Sequence, residues 1–178
     1  MSIAGVLALG ILEGVLVAAL LSLALILRDE ASLGITELGR VEGPDPFVDI
    51  TRHPAARRSP GTLVLRINGP LLYFNAEVVE AEVLERLLAE ANPGLKRLLL
   101  DLSFSTDLDV SVGDVLRRLR TELADRGVEL WLVDVHHRAR SDLTRQDLAD
   151  LLVDPERRCT VAEALDALDL RAGVAPPC

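Results

Sequence analysis

Asp107, Asp109 and Ser111 stand at alternate positions, and Asp114 follows three residues later. The first three lie in the loop between an apolar stretch, Leu98–Leu102, and a helical stripe that begins at Val112, and Asp114 falls in the helix's first turn. A serine hydroxyl just ahead of a helix can carry a phosphate. Free amides and the helix dipole favour negative charge at that end. A phosphate on Ser111 would add about −1.5 to −2 charge beside Asp107, Asp109 and Asp114 and change the exposed face sharply. The same residues have a plainer use. Ser111 or Asp109 can cap the helix, Ser111 with Asp114 as a variant capping box. The sequence leaves both uses open.

The elements around the loop alternate in type. Leu63–Ile67 reads as a strand, and Leu71–Phe74 as a second after the Gly69-Pro70 turn. Asn75 caps a helix from Ala76 to Ala91, with Val79, Val83, Leu87 and Ala91 on one stripe. Asn92-Pro93-Gly94 stops it. Arg97–Leu102 and Val128–Val135 are near-continuous apolar strands, as in a sheet covered on both faces. Between them runs an amphipathic helix from Val112 to Asp125, closed by Gly127. Helices over Arg138–Asp150 and Val161–Leu170 follow, the last opened by a Thr160/Glu163 capping box. Strands alternating with helices predict an α/β fold with a parallel or mixed sheet. The loop of interest then leaves the C-terminal end of a buried strand, where open α/β sheets meet ligands and partners.

The front of the chain is different in kind. Ile3 to Leu27 is one apolar run broken by a single charge, Glu13. At 1.5 Å per residue it is long enough to cross a hydrocarbon layer of about 30 Å. Glu13 costs about 2.5–3.5 kcal/mol at mid-bilayer, and fifteen Leu, Ile and Val residues outweigh it at roughly −0.3 to −0.6 each. Gly10, Gly14, Ala18 and Ser22 recur every fourth position and form one stripe, with Glu13 at its border. Small residues at this spacing let membrane helices approach closely. Two readings follow: a helix that packs against other membrane helices, and a bare anchor with an incidental Glu. A cleaved signal peptide does not fit, because no basic residue precedes the run and the run is too long. Arg28 follows the run directly, and the two-residue front flank holds no Lys or Arg, which favours a cytoplasmic C-terminal domain.

Charge and cysteines narrow the functions. The net charge is −9, of which −7 lies after residue 60. An acidic domain argues against nucleic acid and against a polybasic grip on anionic lipid. Cys159, Cys178, His53 and the His136-His137 pair show no metal-ligand spacing, so no metal or other cofactor is expected. No disulfide framework appears, which fits a reducing cytosol. The junction 43–61 holds Pro44, Pro46, Pro54 and Pro60 and runs extended. Glu37–Val41 and Phe47–Ile50 are candidate short edge strands within it. Arg57 and Arg58 are placed for lipid phosphates, with a solvated loop as the plainer reading.

Asp107-x-Asp109-x-Ser111 also has the DxDx(T/V) shape of haloacid-dehalogenase-type phosphatases. Asp107, however, follows Leu102 by five residues instead of closing the strand. The only Lys, Lys96, lies upstream, and Asp134 is a lone candidate for a later metal ligand. The chain is not expected to be an enzyme.

The segments PGTLVLRINGPLLYFNAE (60–77), LLLDLSFSTDLDVSVGDVL (98–116), RGVELWLVDV (126–135) and TVAEAL (160–165) resemble the STAS domain. That is the sulfate-transporter and anti-sigma-factor-antagonist domain, here in the version that ends SulP-type anion transporters. GILEGVLVAALLSLALILR resembles the last membrane helix of such transporters, and GRVEGPDPFVDITRHPAA the junction after it. The resemblance implies a single membrane helix (1–28), a junction (29–60), a STAS domain with a mixed sheet (61–170) and a disordered tail (171–178). In anti-sigma-factor antagonists the serine of the D-x-S motif is phosphorylated by a partner kinase. Asp109 and Ser111 match that motif, and Val110 departs from it. The implied function is regulation by protein contact at the cell membrane, without transport by this chain alone. The implied partners are the membrane, other membrane helices (a separately encoded core or a second copy) and a kinase or other regulatory protein. The alternative is a free-standing antagonist-like switch at Ser111.

Overall fold

The computed structural model of the chain describes residues 11–31, 34–43, 47–89 and 94–171. The chain divides into two compact units, Met1–Leu33 and Gly34–Cys178. The first contains helix α1, Ile11–Ala31. Val15, Leu16, Val17, Leu20, Leu21, Leu23 and Leu25 are each more than half exposed on it. Among the described residues no helix is long and apolar enough to cross a membrane. The expected span starts at Ile3, outside those residues, so the single-span assignment rests on sequence.

The second unit is an α/β layer structure. Its strands are β1 (Ile35–Arg40), β2 (Phe47–Asp49), β3 (Thr62–Ile67), β4 (Arg97–Asp101) and β5 (Glu129–Val133). They form one sheet in the order β2-β1-β3-β4-β5. β3, β4 and β5 are parallel, while β1 runs antiparallel to both β2 and β3. The sheet is therefore mixed. Two of its strands come from the stretch read as junction. β1 is an interior strand rather than the edge strand expected, because β3 and β2 pair on either side of it.

The helices are α2 (Ala76–Ala89), α3 (Val110–Asp125), α4 (His137–Arg145) and α5 (Val161–Arg171), with a 3-10 turn at Ala149–Leu151. α5 covers one face: Val161, Ala164, Leu165 and Leu168 pack on Leu38, Phe47, Val64, Leu99 and Val133. By alternation Leu63, Leu65, Leu98, Leu100, Leu130 and Leu132 point to the other face, and all are buried. α3 packs there against β5 and against α2. Its buried residues are Val112, Val115, Leu116, Leu119 and Leu123, as expected, and Gly113 in addition. Both faces are covered, which explains the near-continuous apolar strands.

Three expectations need correction. Leu71–Phe74 is a turn, not a strand. The Leu72 amide donates to Asn75 Oδ1 at 2.8 Å, and Asn75 Nδ2 donates to the Pro70 carbonyl at 3.0 Å. The Asn75 side chain thus holds the preceding loop instead of capping α2. The helix expected over Arg138–Asp150 ends at Arg145. Asp147 adopts a φ of 56°, and the Leu148 amide folds back to the Leu143 carbonyl at 2.9 Å. A left-handed residue at this position closes a helix. The expected ends of α2 and of the tail lie outside the described residues.

Candidate functional site

The 102–109 loop is fixed from below. Asp101 closes β4 with its carboxylate fully buried. One oxygen accepts from Arg66 Nε at 2.7 Å, the other from the Ser103 amide at 2.8 Å. Ser105, also buried, accepts the Leu71 amide on its hydroxyl at 3.0 Å. This joins the loop after β4 to the loop after β3.

The outer side of the loop is bolted to α4. His136 Nε2–H donates to the Ser103 carbonyl at 2.8 Å, and the Ala139 amide to the Thr106 carbonyl at 3.1 Å. The Leu108 amide donates to Asp142 Oδ2 at 3.0 Å. Gln146 Nε2 reaches the Leu108 and Asp109 carbonyls at 3.4 Å each. Each of these bonds spans some 33–38 residues of chain. An open cleft of about 590 Å³ lies between Leu72, the 107–109 loop and α4, lined by His137, Arg138 and Arg145 as well as by Asp107, Asp109 and Asp142.

Asp109 is the N-cap of α3. It sits in extended backbone, φ −76° and ψ 173°, and accepts the Val112 amide at 2.9 Å. Of the two capping options, the structure uses Asp109. Ser111 is exposed in the first turn, and among the described residues its hydroxyl has no partner. Asp114 does not close a capping box with Ser111; it pairs with Arg117 Nη1 at 2.6 Å, both side chains about half exposed. Asp107 is exposed and takes the Thr106 hydroxyl at 3.2 Å. The site thus brings Asp107, Asp109, Ser111 and Asp114 to one helix end, with Ser111 exposed.

The acid at the strand end is Asp101, buried with both oxygens occupied, and Asp109 is spent on the cap. Among the described residues no three His, Cys, Asp or Glu side chains cluster to hold a metal ion. Sequence reasoning missed Asp101, Ser105, His136, Asp142 and Gln146 as the frame of the loop. Local sequence carries no signal for contacts at such separations. On α1, Glu13, Ala18 and Ser22 are exposed and Gly14 half-buried, while Gly10 lies outside the described residues.

Comparison with known proteins adds a family. The sequence pattern of the STAS domain matches residues 53–164. A probable sulfate transporter of Mycobacterium tuberculosis is 32% identical over 169 residues, covering 94% of this chain and 30% of the transporter. The chain therefore spans under a third of the length of that relative. The murine solute carrier 26 family member A9 anion transporter, solved in its inward-facing state, superposes with a TM-score of 0.73 at 19% identity, over 89% of this chain and 25% of that one. The anti-sigma factor antagonist SpoIIAA, in its unphosphorylated form, superposes with a TM-score of 0.52 at 17% identity, over 66% and 94%. The two structures share the fold alone at these identities. With the pattern matched from 53 to 164 and the mixed sheet carrying the D-x-S loop at a helix start, the chain belongs to the STAS domain family.

Proposed function

We propose that this chain is the C-terminal end of a SulP-type sulfate or anion transporter: a last membrane helix, α1, followed by a cytoplasmic regulatory STAS domain. One observation supports this above the others. The likeness to the Mycobacterium tuberculosis transporter covers 94% of the chain, leaving only about 11 residues unmatched. It must therefore run past the STAS pattern into α1, whose row of exposed leucines and valines suits lipid or other helices. Transport belongs to the remaining length of such proteins, so these residues regulate and do not carry the anion by themselves. The domain boundaries proposed are those of the sequence: 1–28, 29–60, 61–170 and 171–178.

The domain works by contact. The helix end at Asp107, Asp109, Ser111 and Asp114 offers one surface, and the Gly10/Gly14/Ala18/Ser22 stripe with Glu13 offers the other. Alkaline carbonate extraction of cell membranes tests the anchor. The full chain stays with the membrane, and a chain lacking residues 1–31 is released. Release of the full chain would overturn the anchor. Sulfate uptake by liposomes holding only this chain would overturn the regulatory assignment.

The exposed Ser111 hydroxyl beside a capping Asp109 supports a second reading, a phospho-switch. Incubation with ATP and host-cell lysate, followed by phosphopeptide mapping, tests it. Phosphate on Ser111 that vanishes in Ser111→Ala supports the switch, and its absence from the wild type sinks it.

A further inference from the structure

The far end of the sheet, where β3 and β4 begin, holds polar groups that neither the family nor the D-x-S site accounts for. Thr62 and Arg97 are direct cross-strand partners on parallel strands. Thr62 is 6% exposed, and its hydroxyl has no hydrogen-bond partner among the described residues. Arg97 gives Nη2 to Asp169 of α5 at 2.6 Å, but its Nη1 is buried without a partner as well. Two buried polar groups left without partners on neighbouring strands are costly, the charged one more so.

Two further arginines stand at the same edge. Arg40 ends β1, which runs antiparallel to β3 and so finishes where β3 starts. Arg57 faces Arg40 across an antiparallel bridge, with reciprocal backbone bonds of 2.7 and 2.9 Å. Opposed residues of such a pair project to one side, where like charges repel. Neither guanidinium has a carboxylate partner among the described residues. Alternation fixes the side. Arg40, Thr62 and Arg97 each lie two residues from Leu38, Val64 and Leu99, which pack under α5. Among the described residues the acids of this face have partners: Asp169 is taken by Arg97, Glu129 accepts the Trp131 indole at 3.2 Å, and Asp49, opposite Leu38, holds Thr51 and Arg52. In a chain of net charge −9, arginines without a carboxylate partner among the described residues, at one edge beside two buried orphans, ask for an anion.

We infer that this edge binds a tetrahedral oxyanion, a phosphate or sulfate group. Thr62 Oγ1 and Arg97 Nη1 are its inner donors, and Arg40 and Arg57 are its outer charges. Guanidinium groups match such anions through paired N–H donors. The site is independent of the Ser111 loop.

The full chain in a non-ionic detergent tests the inference by calorimetric titration with sodium phosphate and sodium sulfate, against sodium chloride at equal ionic strength. A second arm uses nanodiscs of phosphatidylcholine with and without phosphatidic acid. Saturable binding of phosphate or sulfate is expected, weakened about tenfold by Thr62→Val and by the pair Arg40→Ala/Arg57→Ala. These variants remove no hydrogen bond or ion pair made within the described residues, so the fold survives, as circular dichroism would confirm. Binding of the free ions identifies a soluble oxyanion. Binding confined to phosphatidic acid, with the same arginine dependence, identifies a lipid phosphate. Binding in neither arm, or binding that the variants leave unchanged, overturns the inference and leaves the edge to water.

Discussion

Arg66 and Asp101 pair across neighbouring parallel strands, with Nε 2.7 Å from Oδ2, and the two side chains are unequally buried. Arg66 is 30% exposed and Asp101 is sealed at 0%. Removing either partner does not have the same effect. Arg66→Ala strands a buried carboxylate and costs about 3–5 kcal/mol. Asp101→Asn removes the charge but keeps an acceptor for the Ser103 amide, and Arg66 turns to water. Its cost is about 1.5–3 kcal/mol. Urea unfolding of the two variants ranks them, and equal or reversed costs would refute the pairing as described.

Asp109 and Ser111 separate in the same way. Asp109 holds the Val112 amide, so Asp109→Ala loses about 1 kcal/mol of stability, within a range of 0.5–2. Asp109→Ser restores most of it. Ser111 is exposed with its hydroxyl unpartnered, so Ser111→Ala stays within about 0.5 kcal/mol of the wild type. Thermal melts decide the matter. A destabilised Ser111→Ala would mean that Ser111, not Asp109, caps α3.

How far the sequence discloses this arrangement depends on the range of the forces involved. β4 and β5 are legible because burial on both faces makes them apolar throughout, and the Thr160/Glu163 box is legible because its bonds span three residues. β1 and β2 are harder to read. ITELGR and FVD mix apolar and polar residues, and pairing with β3, not propensity, makes the first a strand. LLYF at 71–74 misleads because strand-forming residues are overruled by one local pair of bonds from Asn75. Of the candidate site, the D-x-S residues are visible in sequence. The frame of His136, Asp142 and Gln146 is not, since it acts from more than thirty residues away.

Gly113 shows that frame at its tightest. It is buried on α3, and a Cβ there would overlap the Gln146 side-chain oxygen. Alanine gains about 1 kcal/mol over glycine in a helix interior, yet overpacking costs about 1–3. Gly113→Ala is therefore neutral to destabilised by about 2 kcal/mol. Gln146→Ala clears the space at the loss of two weak 3.4 Å bonds. The double variant is expected to be more stable than Gly113→Ala alone, with a coupling of about 1 kcal/mol or more. Additive effects in denaturant titrations would show that the two residues do not meet.

Glu163 sets an acid limit on α5. The Thr160 amide, followed by the Arg157 guanidinium and the Thr160 hydroxyl, lowers its carboxyl from 4.5 to about 2. A depressed carboxylate contributes stability that is fully present above its unfolded value, near 4.5, and is lost as pH falls toward 2. Melting temperatures are therefore expected to hold from neutral pH to about 4.5 and to drop below it. Glu163→Gln flattens part of that drop, because glutamine still caps but does not titrate. The two causes respond differently to salt. Glu163 and Arg157 are both exposed, so their attraction is screened, whereas the hydrogen bond from the Thr160 amide is local and persists. An NMR titration of the Glu163 carboxyl in 1 M salt is expected to move part of the way back toward 4.5. A return the whole way would assign the shift to Arg157 and remove the capping box from the account of α5.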